Sequence, residues 1–306
     1  MGAEASGGLR HGLYQAPGIG DRQRSHAELS MTHSTSESST AGVAVVTGGA
    51  SGIGLAFARA YAARGAHVVI GDIDESAMEQ ARVQLSEAGS AVDCVRVDLQ
   101  DAMSITHLGE VASDLGPLTA VCLNAGVAAS GTPVWETPDA TYEFVLGVNL
   151  RGLFHSIKTF VPILVEQGAC ADLVITASMG GMVATPYGGA YAASKAAAIA
   201  LAKSLRAELS TVAPAVRIAV LNPGVVATNL IRTSAARLPG GASMSDDLVQ
   251  VSHDFLNQTG VDPDAAVSWA LRALEEGRFW ALPDADDPFA VQLDAELAEL
   301  RGSSSP

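Results

Sequence analysis

From Val43 onward the chain alternates short β-branched apolar runs with longer, alanine-rich stretches of helical spacing, and few architectures accommodate that alternation. A strand that reads as continuously apolar has to be buried on both faces, which is the condition of a parallel strand with helices above and below. The expected strands are Val43 to Thr47, His67 to Asp72, Ala91 to Asp98, Ala120 to Asn124, Ala171 to Ser178, Val216 to Asn222 and a last one near Phe279 to Leu282. Between them, Gly54 to Arg64, Glu75 to Glu87, Ser104 to Leu115, Pro138 to Gly168, Ala190 to Val212 and Asp262 to Glu276 carry helix-compatible spacing and good helix formers. Gly65, Gly89, Gly116 and Gly168 fall just past the expected helix ends, where a left-handed cap favours glycine. The expectation is an α/β protein, a doubly wound three-layer αβα fold on a seven-stranded, mainly parallel sheet.

One domain over residues 41–306 is expected, without internal repeats. Residues 1–40, rich in Gly, Ser, His, Arg and Gln and without a secretory apolar core, read as a disordered extension. Residues 228–260 mix polarity and contain Gly240, Gly241, Ser243 and Ser245, and are too long for a plain connector. A substrate lid is expected there, with plain surface decoration as the alternative.

Composition removes several classes of function. A net charge of -15 argues against nucleic acid or an anionic membrane as the main partner, because both require clustered Lys and Arg. No apolar run approaches the roughly 20 residues needed to cross a bilayer. Cys94, Cys122 and Cys170 form neither a CxxC pair nor a set with a nearby His at ligand spacing, so no metal is expected and a reducing cytoplasm is the simplest location.

The first expected strand runs directly into Thr47-Gly48-Gly49-Ala50-Ser51-Gly52-Ile53-Gly54 and then into a helix. A turn of this kind tolerates positive φ and lets backbone amides approach a pyrophosphate at a helix N-terminus, where unpaired N–H groups and the helix dipole favour an anion. The second strand ends in Gly71-Asp72-Ile73-Asp74, about 20 residues further on, where an acid can accept hydrogen bonds from both hydroxyls of an adenosine ribose. Asp72 could instead be a solvated cap of the following helix. A ribose-binding carboxylate repels a 2′-phosphate, and neither Ser51 nor Ile73 supplies a compensating cation, so the expected cofactor is NAD rather than NADP. Tyr191-Ala192-Ala193-Ser194-Lys195 lies in a helical stretch, and its i, i+4 spacing puts Tyr191 and Lys195 on one face. A neighbouring ammonium favours phenolate and brings a phenol closer to the pH at which proton transfer is useful.

Together these residues resemble the short-chain dehydrogenase/reductase superfamily, in its single-domain subtype with a YxxxK active site, over roughly residues 42 to 283. The pieces stand in the family's order: the TGxxxGIG turn, Asp72, Asp98, Asn124-Ala125-Gly126, Asn149, Ser178, Tyr191 with Lys195, and Asn222-Pro223-Gly224 leading to Thr228. The resemblance implies a Rossmann-like fold and an NAD-dependent oxidoreductase of CH–OH groups. Tyr191 is then the general acid in ketone reduction and the base in alcohol oxidation, and Ser178 bonds the substrate oxygen. Lys195 holds the nicotinamide ribose and lowers the tyrosine pKa, while Asn149 positions a water that links Lys195 to solvent. Gly48, Ser51, Gly52, Ile53 and Gly54 take the pyrophosphate, Asp72 and Ile73 the ribose, Asp98 and the Leu99 backbone the adenine. Asn124, Ala125 and Gly126 lie near the cofactor. Pro223, Gly224, Val225 and Thr228 wrap the nicotinamide, which implies transfer of the pro-S hydride. The family more often reads NNAG where this chain has Leu123-Asn124-Ala125-Gly126, and a cap role for Asp98 stays open.

Around the reacting carbon the sequence offers Val127, Met179, Met182, Val183, Tyr187 and Val225, then Leu230 and Ile231. An apolar pocket with adaptable methionines suits a hydrophobic secondary alcohol or ketone, alicyclic, aromatic or steroid-like, over a sugar or free acid, although Arg232 or Arg237 could reach in to meet an anion. Two other readings are an NADPH-dependent reductase of carrier-bound 3-oxoacyl groups and a non-catalytic NAD-binding sensor or scaffold. Relatives of the family associate through the helices that here span Pro138 to Gly168 and Ala190 to Val212, which implies a homo-oligomer, a dimer or tetramer.

Overall fold

The computed structural model describes residues 42–129, 131–239 and 244–302. The expected extension at 1–40, and Gly240, Gly241 and Ser243 of the expected lid, lie outside them.

Seven strands form one sheet: β1 (Val43–Thr47), β2 (His67–Asp72), β3 (Val92–Arg96), β4 (Leu118–Leu123), β5 (Ala171–Thr176), β6 (Val216–Leu221) and β7 (Trp280–Ala281). Their order is β3-β2-β1-β4-β5-β6-β7, and every pairing is parallel. β1 lies at the middle of the switch in strand order, with Val45 opposite Val69 on one side and Val121 on the other. Chains leaving β1 and β4 therefore diverge to opposite faces and open a crevice at the carboxyl rim, the place where open α/β sheets bind ligands.

The helices are α1 (Gly52–Ala63), α2 (Glu75–Glu87), α3 (Ala102–Leu115), α4 (Asp139–Leu146), α5 (Leu153–Gln167), α6 (Gly189–Val212), α7 (Leu230–Ala235), α8 (Asp246–Thr259), α9 (Pro263–Glu275) and α10 (Pro288–Leu300). Strand side chains alternate between two cores, as the pleat requires. Val43 and Val45 pack with Ile105 and Leu108 of α3, Phe160 and Leu164 of α5 and Leu205 of α6. Ala44 and Val46 pack with Phe57 and Tyr61 of α1, Met78 of α2 and Leu274 of α9. Burying each large apolar side chain stabilises by roughly 1.5–3 kcal/mol relative to exposure, and it is this two-sided burial that the unbroken apolar strands anticipate.

Three expectations are corrected. The single helix over Pro138 to Gly168 is two, α4 and α5, joined by a π-helical turn at Gly147–Gly152. A side chain at Gly152 would meet the Leu99 Cβ at 2.7 Å, and one at Gly147 the Gln100 Oε1 at 3.0 Å. The two glycines thus let the widened turn press against the loop after β3. The stretch read as irregular contains α7 and α8, and α8 is capped by the Ser245 hydroxyl, which accepts from the Leu248 N–H at 3.3 Å. α10 was not anticipated, although Asp287 and Pro288 are a cap and a first-turn proline, with the Asp287 carboxylate accepting from the Phe289 N–H at 2.8 Å. Among the described residues no helix is long and apolar enough to cross a membrane.

Candidate active site

The glycine turn is built by close approach. Gly48 and Gly52 adopt φ of 63° and 51°, and a methyl on Gly54 would run into the Gly48 carbonyl. Thr47 Oγ accepts from the N–H groups of Asn124 at 3.0 Å and Ala125 at 3.2 Å, and the Asn124 amide reaches back to the Thr47 carbonyl at 3.3 Å. The ends of β1 and β4 are thereby laced together across the switch point. The Asp72 carboxylate closes the other side: one oxygen accepts from Ala50 N–H at 3.1 Å, and the second from Ile73 at 2.8 Å and Asp74 at 3.1 Å. It caps no helix. Asp74 is the N-cap of α2, and its side chain accepts from Ala77 N–H at 3.0 Å. Ser51, at the N-cap of α1, makes no side-chain capping bond, so the first N–H groups of α1 are not covered by that hydroxyl.

From Asp72 a cavity of about 880 Å³ runs along the carboxyl rim to Ser178 and Tyr191. Of the residues singled out from the sequence, Gly48, Ser51, Gly52, Ile53, Asp72, Ile73, Asp98, Leu99, Asn124, Ala125, Gly126, Ser178, Tyr191, Lys195, Pro223, Gly224, Val225 and Thr228 line it. Gly54 and Asn149 do not. Gly54 sits behind the turn it permits, and Asn149 is buried behind Val127, on the π-helical turn. Its side chain is fully engaged: Oδ1 accepts from Val127 N–H at 2.8 Å, while Nδ2 donates to the Val127 carbonyl at 2.8 Å and to Ser194 Oγ at 3.0 Å. Asp98 holds its own loop, accepting from Gln100 N–H at 2.9 Å, whereas the N-cap of α3 is Asp101. The Val225 carbonyl is occupied by Val261 N–H at 3.0 Å.

At the inner end of the cavity Tyr191 and Lys195 project from α6 toward the end of β5. The Lys195 ammonium donates to the Thr176 carbonyl at 2.9 Å and lies 5.7 Å from the Tyr191 ring centroid. α6 can approach this closely because Gly181 has no side chain where a Cβ would meet Lys195 backbone at 2.6 Å. Ser178 Oγ accepts from Gly180 N–H at 3.1 Å and stands close enough to the Tyr191 phenol to favour its ionised form. Burial raises the phenol pKa above its ordinary value, and Ser178 works against that rise. The same burial lowers Lys195 to about 8. The desolvation that raises the phenol also disfavours the ammonium that the sequence places beside it.

The apolar wall also differs in detail from the expectation. Val127, Met179, Val225, Leu230 and Ile231 line the cavity, but Met182, Val183 and Tyr187 do not. Met182 packs against the core, Val183 is buried, and Tyr187 is 60% exposed with a positive φ of 61°. Their places are taken by Phe144, Phe255, Leu256 and Phe289. Phe255 and Leu256 come from α8 and Phe289 from α10, the two helices the sequence reading missed. Their capping residues were the available signal.

Fold and rim together define a Rossmann-like α/β protein whose carboxyl-end crevice brings Tyr191 and Lys195 of one helix to the strand end that carries Ser178. The chain belongs to the short-chain dehydrogenase family, whose model matches residues 42–238. It is 38% identical over 245 residues to 1-deoxy-11-beta-hydroxypentalenate dehydrogenase of Streptomyces exfoliatus, covering 79% of this chain and 83% of that one. Identity is 37% over 253 residues to the dehydrogenase of the same name from Streptomyces arenae, covering 81% and 84%. Among solved structures it resembles a short-chain dehydrogenase/reductase from Burkholderia phymatum in complex with NAD, with a TM-score of 0.77 and 30% identity, over 87% of this chain and 97% of that one.

Proposed function

We propose that the chain is an NAD(H)-dependent dehydrogenase of hydrophobic secondary alcohols, running also as a ketone reductase. The observation that carries this reading is the meeting of Tyr191, Ser178 and Lys195 at one end of a cavity whose other end is closed by the Asp72 carboxylate. The cavity fits a dinucleotide. A Cβ at Gly52 would come within 3.0 Å of the Thr228 side chain and the residue has a φ of 51°, so only glycine lets the turn lie this close to Thr228 on the cavity wall. A bound nicotinamide supplies the hydride donor or acceptor. Asp72, anchored by three backbone N–H groups, offers its remaining lone pairs to ribose hydroxyls and repels a 2′-phosphate.

Ser178 orients the substrate oxygen, and Tyr191 Oη gives or takes the proton. Lys195 is the next group inward, and near pH 8 it exchanges a proton readily. Because the Asn149 side chain is committed to Val127 and Ser194, its main-chain carbonyl is the group left to hold a relay water. With its carbonyl bonded to Val261, Val225 likewise meets the carboxamide through its N–H. Asp98 and Leu99 flank the adenine.

The substrate wall is aromatic and aliphatic, which suits an alicyclic, aromatic or steroid-like compound. The relatives' named substrate, a hydroxypentalenate, supports an alcohol. A carboxylate finds little reception at the reacting end, because Arg237 pairs with Asp74 at 3.3 Å and Arg232 donates to Gln250 at 2.7 Å. A substrate carboxylate, such as a hydroxypentalenate carries, would therefore have to lie away from the reacting end. The reading extends to a single catalytic domain working in the cytoplasm as a dimer or tetramer. A panel of alicyclic and aromatic alcohols, neutral and carboxylate-bearing, assayed with NAD and NADP by absorbance of the reduced cofactor, tests it. Turnover with NAD is expected; turnover confined to NADP overturns the cofactor assignment, and none with either overturns the enzyme.

A further inference from the structure

α7 crosses the cavity and is fastened on both sides of it. On the inner side Ser234, 1% exposed, accepts from Ala128 N–H at 2.9 Å, which ties α7 to the wall that follows β4. On the outer side the Arg237 guanidinium meets Asp74 Oδ2 at 3.3 Å, tying the end of the same segment to the cap of α2. Asp74 is in turn bonded through its N–H to Asp72 Oδ1 at 3.1 Å. The outer fastening therefore lies next to the carboxylate assigned to the ribose, and Arg237 itself lines the cavity there beside Ile73 and Ala77. The two ties differ in kind. The hydroxyl bond is sealed from solvent, whereas the ion pair is partly open, with side chains 34% and 41% exposed.

We propose that the Arg237–Asp74 ion pair is a latch that retains the dinucleotide, with both residues acting as positioning residues remote from the proton-transfer groups. This rests on the assignment of the cavity to NAD(H). A cofactor whose ribose lies at Asp72 has Arg237 across its exit, and leaving requires the pair to part while Ser234 keeps the inner end of α7 in place.

A partly exposed pair of this kind is a weak tie, so the effect is measured most directly as a rate of release. NADH dissociation followed by stopped-flow fluorescence is expected to quicken about 2- to 5-fold in Arg237→Gln and in Asp74→Asn. Asparagine preserves the cap of α2, and Arg237→Lys is expected to retain part of the effect. The double variant is expected to be no faster than either single one, and near 1 M salt the wild type is expected to approach the variants. The KM for NADH rises while the kcat of reduction does not fall. Unchanged release rates, or effects that add in the double variant, overturn the latch. Weakened binding of NADPH alone also overturns it and assigns Arg237 to a 2′-phosphate. If the wild type binds neither NADH nor NADPH, the cofactor assignment itself fails and the latch with it, whereas tight NADH binding with unaltered variants sinks only the latch.

Discussion

Lys195 carries an ammonium in a place that disfavours charge, and its titration makes two effects separable. Its folded pKa of about 8 lies below the ordinary 10.5, so between those values the folded state binds fewer protons than the unfolded one and stability rises with pH across that window. Below about 8 both states are protonated and the folded protein bears the whole burden, on the order of 3 kcal/mol. Lys195→Met is therefore expected to melt higher than wild type at pH 7, and the gap is expected to close as pH climbs from about 8 toward 10.5. A gap independent of pH would show that the ammonium is not strained by burial. Tyr191→Phe separates chemistry from architecture in the same way: kcat is expected to drop by about 10²- to 10⁴-fold, the usual contribution of a positioned acid–base group, with NADH affinity and melting temperature nearly unchanged.

At the scale of elements, one buried polar cluster stands at the end of the sheet opposite the cavity. Asp172 of β5, 3% exposed, accepts from the Tyr61 hydroxyl at 3.1 Å and from the Arg217 Nε at 2.8 Å. Burial, together with Cys122 and the Asp172 carboxylate, holds the Tyr61 phenol well above its ordinary pKa. Asp172→Ala strands the Tyr61 hydroxyl and is expected to cost about 1–3 kcal/mol in chemical denaturation, without changing the activity of the molecules that remain folded. The elements themselves were unevenly legible. β1, β2 and β5 are apolar on both faces and announced themselves, as did α6 through its run of alanines. Asn149 was found by position in the motif order, but its π-helical setting was not, because that turn arises from Gly147 and Gly152 pressing on a distant loop. α8 is harder to read for a different reason: Leu248, Val251 and Phe255 do recur at helical spacing, but they follow a glycine- and serine-rich run in which the Ser245 cap resembles one more loop residue. That difficulty hid Phe255 and Leu256, while the overlooked α10 hid Phe289. The end of the cavity at the glycine turn is legible in local turns, whereas its apolar end depends on helices that meet only after the chain has folded.

For the molecule as a whole, a dinucleotide that binds only the folded state adds stability by mass action. NADH at about 100 times its dissociation constant is expected to contribute about 2.7 kcal/mol, seen as a rise in melting temperature of several degrees for a domain of this size. A Gly54→Ala variant is expected to lose that rise, since the added methyl has nowhere to go but into the Gly48 carbonyl. Asp72 has a wider consequence. The carboxylate proposed to take the ribose also bonds the amide of Ala50 in the glycine turn and the amides of Ile73 and Asp74 just ahead of α2, so in that reading recognition and scaffolding share two oxygen atoms. On the proposed cofactor assignment, exchanging that one side chain to admit the phosphorylated coenzyme would also slacken the glycine turn. A redesign would have to rebuild the corner before it could change the preference.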